Sequence, residues 1–310
     1  LLKMNNYFKV LRPGINSTFQ DLGRFGLQHL GIVASGCMDQ LSFCISNKLV
    51  GNKISEGVLE FAYQGPLLEL VGESALVAIS GKVNFNIICK NGEIKKGTSN
   101  SSFLVLNGDK IDILSTMNSV YGYLSIFGGF KLNEIKGSVS TLVRAKIGPN
   151  KGNKLKSEDK IFYNKSNSTD KIKKIQFDFD KDNTIRVMQG LQVDYFTKKS
   201  QEDFFSKEYR VTKLTDRMGM RLEGEKLENT VNKNIKSEGI TKGSIQIPGD
   251  GQPIVLLSDH PTIGGYPKIA NIISADYDKL VQKTPGTKIK FKLVDLSVAE
   301  KAFHEYVRKF

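Results

Sequence analysis

From Val58 to Leu114 the chain runs through one short aliphatic segment after another, and this pattern limits the fold more than any other feature. Val58-Leu59-Glu60-Phe61, Leu67–Val71 and Leu76–Ile79 are each followed within a few residues by glycine or proline. Apolar runs this short, bounded by turn residues, read as strands. Asn91-Gly92, set between Ile87-Ile88-Cys89 and Glu93-Ile94, is the sequence of a type I′ hairpin turn. Asn107-Gly108-Asp109 joins Phe103–Leu106 to Ile111–Leu114 as a second predicted hairpin, and Tyr121–Phe127 is a further strand. With 29 glycines and little helix signal, the expected fold is mainly β, its strands closing or nearly closing into a barrel, with a few short helices.

The 310 residues leave room for two domains of ~100–200 residues each. The boundary is expected near the end of Lys151–Lys174, where eight lysines face three acidic residues and a solvated linker is the natural reading. That places residues 1–174 in an N-terminal domain and 175–310 in a C-terminal one. The charge of +13 raises the question of nucleic acid, yet only eight of the 45 basic residues are arginine. Base and phosphate readers favour arginine, and no nucleic-acid-binding motif is present, so nucleic acid is not the expected partner. No apolar run approaches the ~20 residues that cross a bilayer, so no membrane is expected either. No hydrophobic segment precedes Asn5, and a secretory signal is therefore not expected; Met4 is a candidate natural start. Cys37, Cys44 and Cys89 lack Cys-x-x-Cys spacing, and His29, His260 and His304 are scattered, so neither a disulfide framework nor a metal site is expected. A reduced, cytoplasmic setting is the better expectation.

In the N-terminal half, Phe8–Leu11 is a first strand, and Gln20, Asp21 and Arg24 follow in a loop with Gly23 and Gly26. The glycines let the backbone pass close to a ligand or another strand. The three polar residues could bind a carboxylate or phosphate, or could pair with one another to fix the loop. Ser35-Gly36-Cys37-Met38-Asp39 leads into a helix, with Asp39 at the N-cap and Gly51 ending it. Ser138 and Ser140 have no visible histidine–acid partners, which argues against a serine nucleophile.

In the C-terminal half, a short helix is expected around Val193–Phe205. Thr215–Leu222 carries Arg217 and Arg221, which on a strand would point to one face and make an anion clamp, or else pair with Asp216 and Glu223. A helix begins at Ser274 and stops at Thr284-Pro285-Gly286; Ser297-x-x-Glu300 reads as the capping box of a last helix. The stretch Ser237–Ile269 is denser still. Ile254–Leu257 reads as a strand buried on both faces, and Ser258, Asp259, His260 and Thr262 follow it directly. Gly264-Gly265-Tyr266-Pro267-Lys268 then closes the segment. Polar groups crowded at the end of a buried strand suggest a site on a rigid edge, against the alternative of a tight capped connection.

GSIQIPGDGQPIVLLSD followed by TIGGYPKIA resembles the signature of the biotin-dependent carboxyltransferase-like family, also called the KipA/allophanate-hydrolase-subunit-2 family. VLRPGINSTFQDLGRFG at 10–26, SGCMD at 35–39 with NKLVGN at 47–52, and TDRMGMRLEG at 215–224 resemble it too, in order. Within the family the likeness is to the PxpC members, the C-subunits of 5-oxoprolinase. Gly148-Pro149 stands where members often carry Gly-Gly. The resemblance implies two cyclophilin-like β-barrel domains in one chain. It also implies ATP-dependent cleavage of 5-oxo-L-proline to L-glutamate, carried out with a KipI-like (PxpB) subunit and a LamB/YcsF-like (PxpA) subunit. ATP would be shared with, or bound by, a partner, since no phosphate loop is present; no biotin is expected on this chain, which lacks a Met-Lys-Met anchor. The same resemblance leaves open a urea carboxylase or allophanate hydrolase type of subunit, or a KipA-like regulator that binds a KipI-like kinase inhibitor.

A lactam is a poor electrophile, so such a site needs cationic and hydrogen-bonding groups placed in advance. Arg24, Arg217, Arg221 and Lys268 are the candidate cations, with Gln20, Gln246, Thr262 and Tyr266 as further substrate-binding groups. Asp259, His260 and Asp250 are the candidates to orient water or exchange protons. Gly23, Gly26, Ser35, Asp39, Gly264 and Gly265 are expected to shape the loops.

Overall fold

The computed structural model describes residues 6–164, 172–176, 182–230 and 235–310. Part of the lysine-rich stretch, residues 165–171, lies outside the described residues. The chain divides into two compact units, Leu1–Arg24 with Ser35–Asp178, and Phe25–Ala34 with Phe179–Phe310. The short segment Phe25–Ala34 thus groups with the second unit rather than with the flanking N-terminal sequence.

The first unit holds β1 (Tyr7–Arg12), β2 (Asn16–Gln20), β3 (Val58–Ala62), β4 (Leu67–Val71), β5 (Ala75–Ser80), β6 (Val83–Ile88), β7 (Ile94–Lys96), β8 (Ser101–Val105), β9 (Lys110–Thr116), β10 (Tyr121–Ile126) and β11 (Lys160–Phe162). They form a six-stranded sheet, β11-β1-β4-β9-β6-β7, and a five-stranded sheet, β2-β3-β10-β5-β8. One hydrophobic core joins the two, with Phe8, Leu70, Phe85 and Ile113 from the first sheet meeting Phe61, Val77 and Leu124 from the second. Alternation explains β1, where Phe8 and Val10 are buried between less buried neighbours. The strands β3, β5 and β10 are buried along their whole length. The helix Gln40–Val50 packs against β5 and β10 and covers the face turned away from the core.

Polar contacts fix that helix. Asp39 caps it by accepting from the Ser42 amide at 2.9 Å, and Gly51 ends it in the left-handed region. The hydroxyls of Ser80 and Ser125 donate to the carbonyls of Ser42 and Ser46, both at 2.6 Å. Beneath the cap, the Tyr123 hydroxyl accepts from the Asp39 amide (2.7 Å) and donates to the buried Glu60 carboxylate (2.9 Å), which also takes the Met38 amide (2.7 Å). Burial, and then the Glu60 charge, push the Tyr123 phenol well above its ordinary value, so it stays a donor.

Two predicted turns differ from expectation. Asn91-Gly92 does close a hairpin, pairing Ile88 with Ile94, but only Gly92 is left-handed, so the turn is not type I′. The second predicted hairpin does not form: β8 pairs with β5 and β9 with β4 and β6, in different sheets. Asp109 explains the crossing, because its backbone carbonyl accepts from Leu70 while its carboxylate takes the amides of Leu106 and Lys90. The lysine-rich stretch is also not all linker, since β11 pairs with β1.

The second unit holds β12 (Thr184–Gln189), β13 (Glu208–Thr215), β14 (Gly219–Glu223), β15 (Glu238–Gly239), β16 (Ser244–Gln246), β17 (Ile254–Leu256), β18 (Ile263–Gly264), β19 (Lys268–Ile272) and β20 (Lys288–Leu293). Seven of these close into a barrel, β12-β19-β16-β17-β14-β13-β20, and β15 and β18 make a separate two-stranded ribbon. The parallel pair β12–β20 accompanies otherwise antiparallel neighbours. β20 reads Lys-Ile-Lys-Phe-Lys-Leu, with Ile289 and Phe291 buried and the lysines in water. Phe291 stacks at 4.6 Å on Phe204 of the helix Lys198–Ser206. The helices Ser274–Val281 and Leu296–Val307 pack on one another. The last helix is capped by Asp295, which accepts from the Val298 amide at 2.9 Å, rather than by Ser297; the earlier carboxylate reaches the open amide first.

Tyr123→Phe keeps the ring but removes both contacts of the phenol, leaving the Glu60 carboxylate and the Asp39 amide each short of a partner. It should lower stability by about 1–3 kcal/mol, read as a shift of the urea midpoint at unchanged slope.

Candidate functional site

In the first unit the loop after β2 is closed on itself. Asp21 accepts from the amides of Gly23 (2.8 Å) and Val139 (2.7 Å), from the Ser138 hydroxyl (2.7 Å), and from the Ser140 hydroxyl. Arg24 is 1% exposed, and its guanidinium donates to the carbonyls of Ile135 (2.9 Å) and Ser140 (2.9 Å). Gln20 is fully buried, its amide donating to Thr18 (2.9 Å) and to the Thr141 carbonyl (3.1 Å). These contacts tie the loop to Gly137–Thr141, and the three residues do not pair with one another in them. Gly23 is left-handed within this knot, as is Ser35 just ahead of the Asp39 cap. Gly26 is left-handed but has no neighbour where a side chain would stand, so it serves a turn and not a close approach.

The second unit separates the polar residues of 215–268 between the two ends of its barrel. At one end Gly219 pairs with Leu256 and Ser244 with Asn271; at the other, Ile254 pairs with both Arg221 and Gln246. Arg217, just before β14, and Asp259, just after β17, belong to the first end. They form a two-pronged ion pair, both contacts 2.9 Å, with each side chain less than a tenth exposed. The expected clamp of Arg217 and Arg221 on one strand face therefore does not form: Arg217 lies outside β14, and Arg221 pairs instead with Asp250 at the opposite end.

His260 follows the Arg217–Asp259 pair and is 4% exposed. Its Nδ1 lies 2.6 Å from the Pro261 carbonyl, which can only accept, so the proton of the neutral ring sits on Nδ1. Burial lowers its pKa below the usual imidazole value, and nearby Lys242 adds to this. Lys242 stands over the Tyr277 ring at 4.4 Å, and the Tyr277 hydroxyl is 3.3 Å from that of Ser258.

Lys268 is at the other end, and a backbone irregularity places it. Ile245 pairs with Ala270 but the next residue, Gln246, pairs with Lys268, so Ile269 is an extra residue, a bulge. Gly190 and Gln192 hold that bulge: their amides donate to the carbonyls of Ile269 (2.9 Å) and Lys268 (3.3 Å), and a side chain on Gly190 would collide with the Lys268 carbonyl. Lys268 is 4% exposed, and its ammonium meets Glu238 of the ribbon; Glu238 also accepts from the Gln192 amide at 2.8 Å. Lys268 and then Gln192 hold the Glu238 carboxyl below its usual range.

Opposite Lys268, Gln246 is 5% exposed and its Nε2 has no hydrogen-bond partner among the described residues. Gly264, paired with Glu238 in the ribbon, faces it: a Cβ there would stand 2.6 Å from Nε2. Gly265 runs beside Ile235, whose amide donates to its carbonyl. Thr262 is half-buried and pairs by its carbonyl with Ile240, and Tyr266 is exposed. The structure thus gathers Gln246, Gly264 and Lys268, and adds Glu238, Gln192 and Gly190, which sequence reading missed. A lysine that close to full burial needs a carboxylate, and Glu238 is the one acid in the ribbon strand Glu238–Gly239; pairing across 30 residues leaves no local trace.

The family model described as carboxyltransferase domain, subdomain A and B, matches residues 30–293. The 5-oxoprolinase C-subunit of Haemophilus influenzae is 33% identical over 288 residues, covering 92% of this chain and 90% of that protein. The 5-oxoprolinase C-subunit of Escherichia coli is 30% identical over 311 residues, covering 97% and 96%. Among solved structures, Kluyveromyces lactis urea carboxylase matches with a TM-score of 0.88 at 27% identity, over 100% of this chain but 30% of that one. The chain belongs to the carboxyltransferase-domain family, subdomains A and B, and is homologous to the C-subunit of 5-oxoprolinase over nearly its whole length.

Proposed function

We propose that this chain is the C-subunit of an ATP-dependent 5-oxoprolinase, opening 5-oxo-L-proline to L-glutamate together with KipI-like (PxpB) and LamB/YcsF-like (PxpA) subunits in the cytoplasm. The observation that carries this reading is the end-to-end match to proteins of that name, about nine-tenths or more of each chain. The second unit adds chemical support, since a buried ammonium beside an open amide donor suits a small carboxylate such as 5-oxo-L-proline.

Among the described residues, the loop after β2 offers no open amide or hydroxyl donors to a nucleotide phosphate. The amides and hydroxyls that converge at the loop after β2 are already taken by the Asp21 carboxylate. In this reading nucleotide chemistry belongs to a partner subunit, and no step of it is assigned to residues here. Lys268 and Gln246 hold the substrate. His260 and the Arg217–Asp259 pair lie at the opposite end of the barrel from Lys268, so this reading gives them no contact with the substrate; the pair braces the turn after β17. Arg221 and Asp250, half-exposed and paired, have the weakest claim to a role in chemistry. A second reading, a urea carboxylase type of subunit, is favoured by the fold match to the K. lactis enzyme, although this chain spans 30% of that one.

ADP release by the chain co-expressed with its two partners should rise on adding 5-oxo-L-proline, with glutamate formed in step. An assembled complex that responds to urea and not to 5-oxo-L-proline would replace the first reading with the second. Lys268→Met should raise KM for 5-oxo-L-proline about 100-fold with a smaller fall in kcat, as loss of a charged contact worth ~3 kcal/mol requires. His260→Gln, at the opposite end of the barrel, should leave KM for 5-oxo-L-proline unchanged; a raised KM would bring that end into the site.

A further inference from the structure

We propose that Glu238 is a built-in occupant of a carboxylate-binding seat made by Lys268, Gln192 and Gln246, and that a ligand carboxylate binds by displacing it. The proposal rests on the reading of this site as the substrate site and names the device that controls entry.

The seat has a donor set for a carboxylate: the Lys268 ammonium, the Gln192 Nε2 amide and the Gln246 Nε2 amide. Glu238 satisfies the first two through the same oxygen, Oε1. The third stays without a partner among the described residues although Gln246 is 5% exposed, and a buried unfilled amide is costly to keep. A structural ion pair would be expected to fill it. A seat that must also accept something else need not.

The occupant is attached to a short element outside the barrel sheet. Lys268 lies on the barrel, pinned by the bulge and by Gly190, and its side chain is 5% exposed. Glu238 lies on the two-residue strand of a two-stranded ribbon outside the barrel sheet, its side chain 40% exposed. Ribbons this small hold few backbone hydrogen bonds and open at low cost. The Glu238 carboxylate therefore has water on one side, while the Lys268 ammonium has little besides its partner. Gly264 completes the arrangement: lacking a Cβ, it leaves room against Gln246 Nε2 that an alanine would fill. A ligand of the right class carries one carboxylate on a compact body, as 5-oxo-L-proline does. It would bridge Lys268 and Gln246 while Glu238 swings to water with the ribbon.

Self-occupancy lowers the apparent affinity by the fraction of time the seat is free. Removing the Glu238 charge should lift that competition. In titration calorimetry on the full chain, Glu238→Gln should bind 5-oxo-L-proline and acetate about tenfold or more tightly than the unaltered protein. Glu238→Ala should behave alike. The uncharged 5-oxo-L-prolinamide should bind none of them, and Gly264→Ala added to Glu238→Gln should cancel the gain. Tightening for acetate without tightening for 5-oxo-L-proline would leave the seat standing and remove the 5-oxoproline reading. Unchanged or weaker binding of both carboxylates in both Glu238 variants would overturn the proposal, as would prolinamide binding as tightly as the acid. A thermal midpoint that falls in Glu238→Gln and is not restored by either carboxylate would also overturn it, marking the pair as structural.

Discussion

A charge removed from water must meet an opposite charge or several hydrogen bonds, and the second unit is organised by that requirement. Arg217 with Asp259 joins the entry of β14 to the exit of β17. Arg186 with Asp276 ties β12 to the helix Ser274–Val281, the carboxylate accepting the Arg186 amide as well as its guanidinium. Lys268 with Glu238 ties the barrel to the ribbon. In the first pair both partners are buried and the fork is filled from both sides, which makes it a brace. In the last, one partner is buried and the other reaches water, and an amide beside them is unfilled. The same kind of contact holds the fold in one place and leaves chemistry open in another; the difference lies in which side chain keeps its hydration.

The first unit follows the same rule with fewer formal charges. Asp21 and Arg24 were legible as a polar cluster, but sequence left open whether they bind a ligand or each other's loop. Neither meets the other in the contacts that define the knot; each is held by backbone and hydroxyl groups around Gly137–Thr141, more than a hundred residues away. Sequence reading could name the residues, since a short spacing of Gln, Asp and Arg between glycines stands out. It could not see what they reach, because the partners are main-chain atoms whose position depends on the tertiary fold.

What was legible elsewhere follows local physics. The strands of the first half, the Asp39 cap, the Gly51 stop and the Ser274 helix depend on alternation, capping and turn chemistry within a few residues. The larger errors come from pairing at a distance, while the Asn91-Gly92 turn type and the Ser297 cap were missed locally. Asn107-Gly108-Asp109 has the composition of a hairpin turn, yet Asp109 binds Leu70 and Lys90, and the strands it joins separate into two sheets. Arg217 and Arg221 have the spacing of one strand face, yet the strand begins at Gly219 and leaves Arg217 in the turn before it.

The bulge at Ile269 shows why the site settled where it did. A regular ladder would oppose Gln246 with Ile269, and Lys268 would fall one place further along. One extra residue sets Lys268 opposite Gln246, at the cost of a locally broken ladder. The chain offsets that cost with Gly190 and Gln192, whose amides take the two carbonyls that the bulge would leave unpaired. Gln192 then turns its own side chain to Glu238 and accepts the Lys268 amide at 3.2 Å, so one residue secures the bulge, the lysine and the occupant of its seat. A functional group placed on a strand by such a device is held more firmly than one on a loop, because moving it means breaking barrel hydrogen bonds. The ribbon lies outside the barrel sheet, held by its own short ladder, and it is the element that has to move.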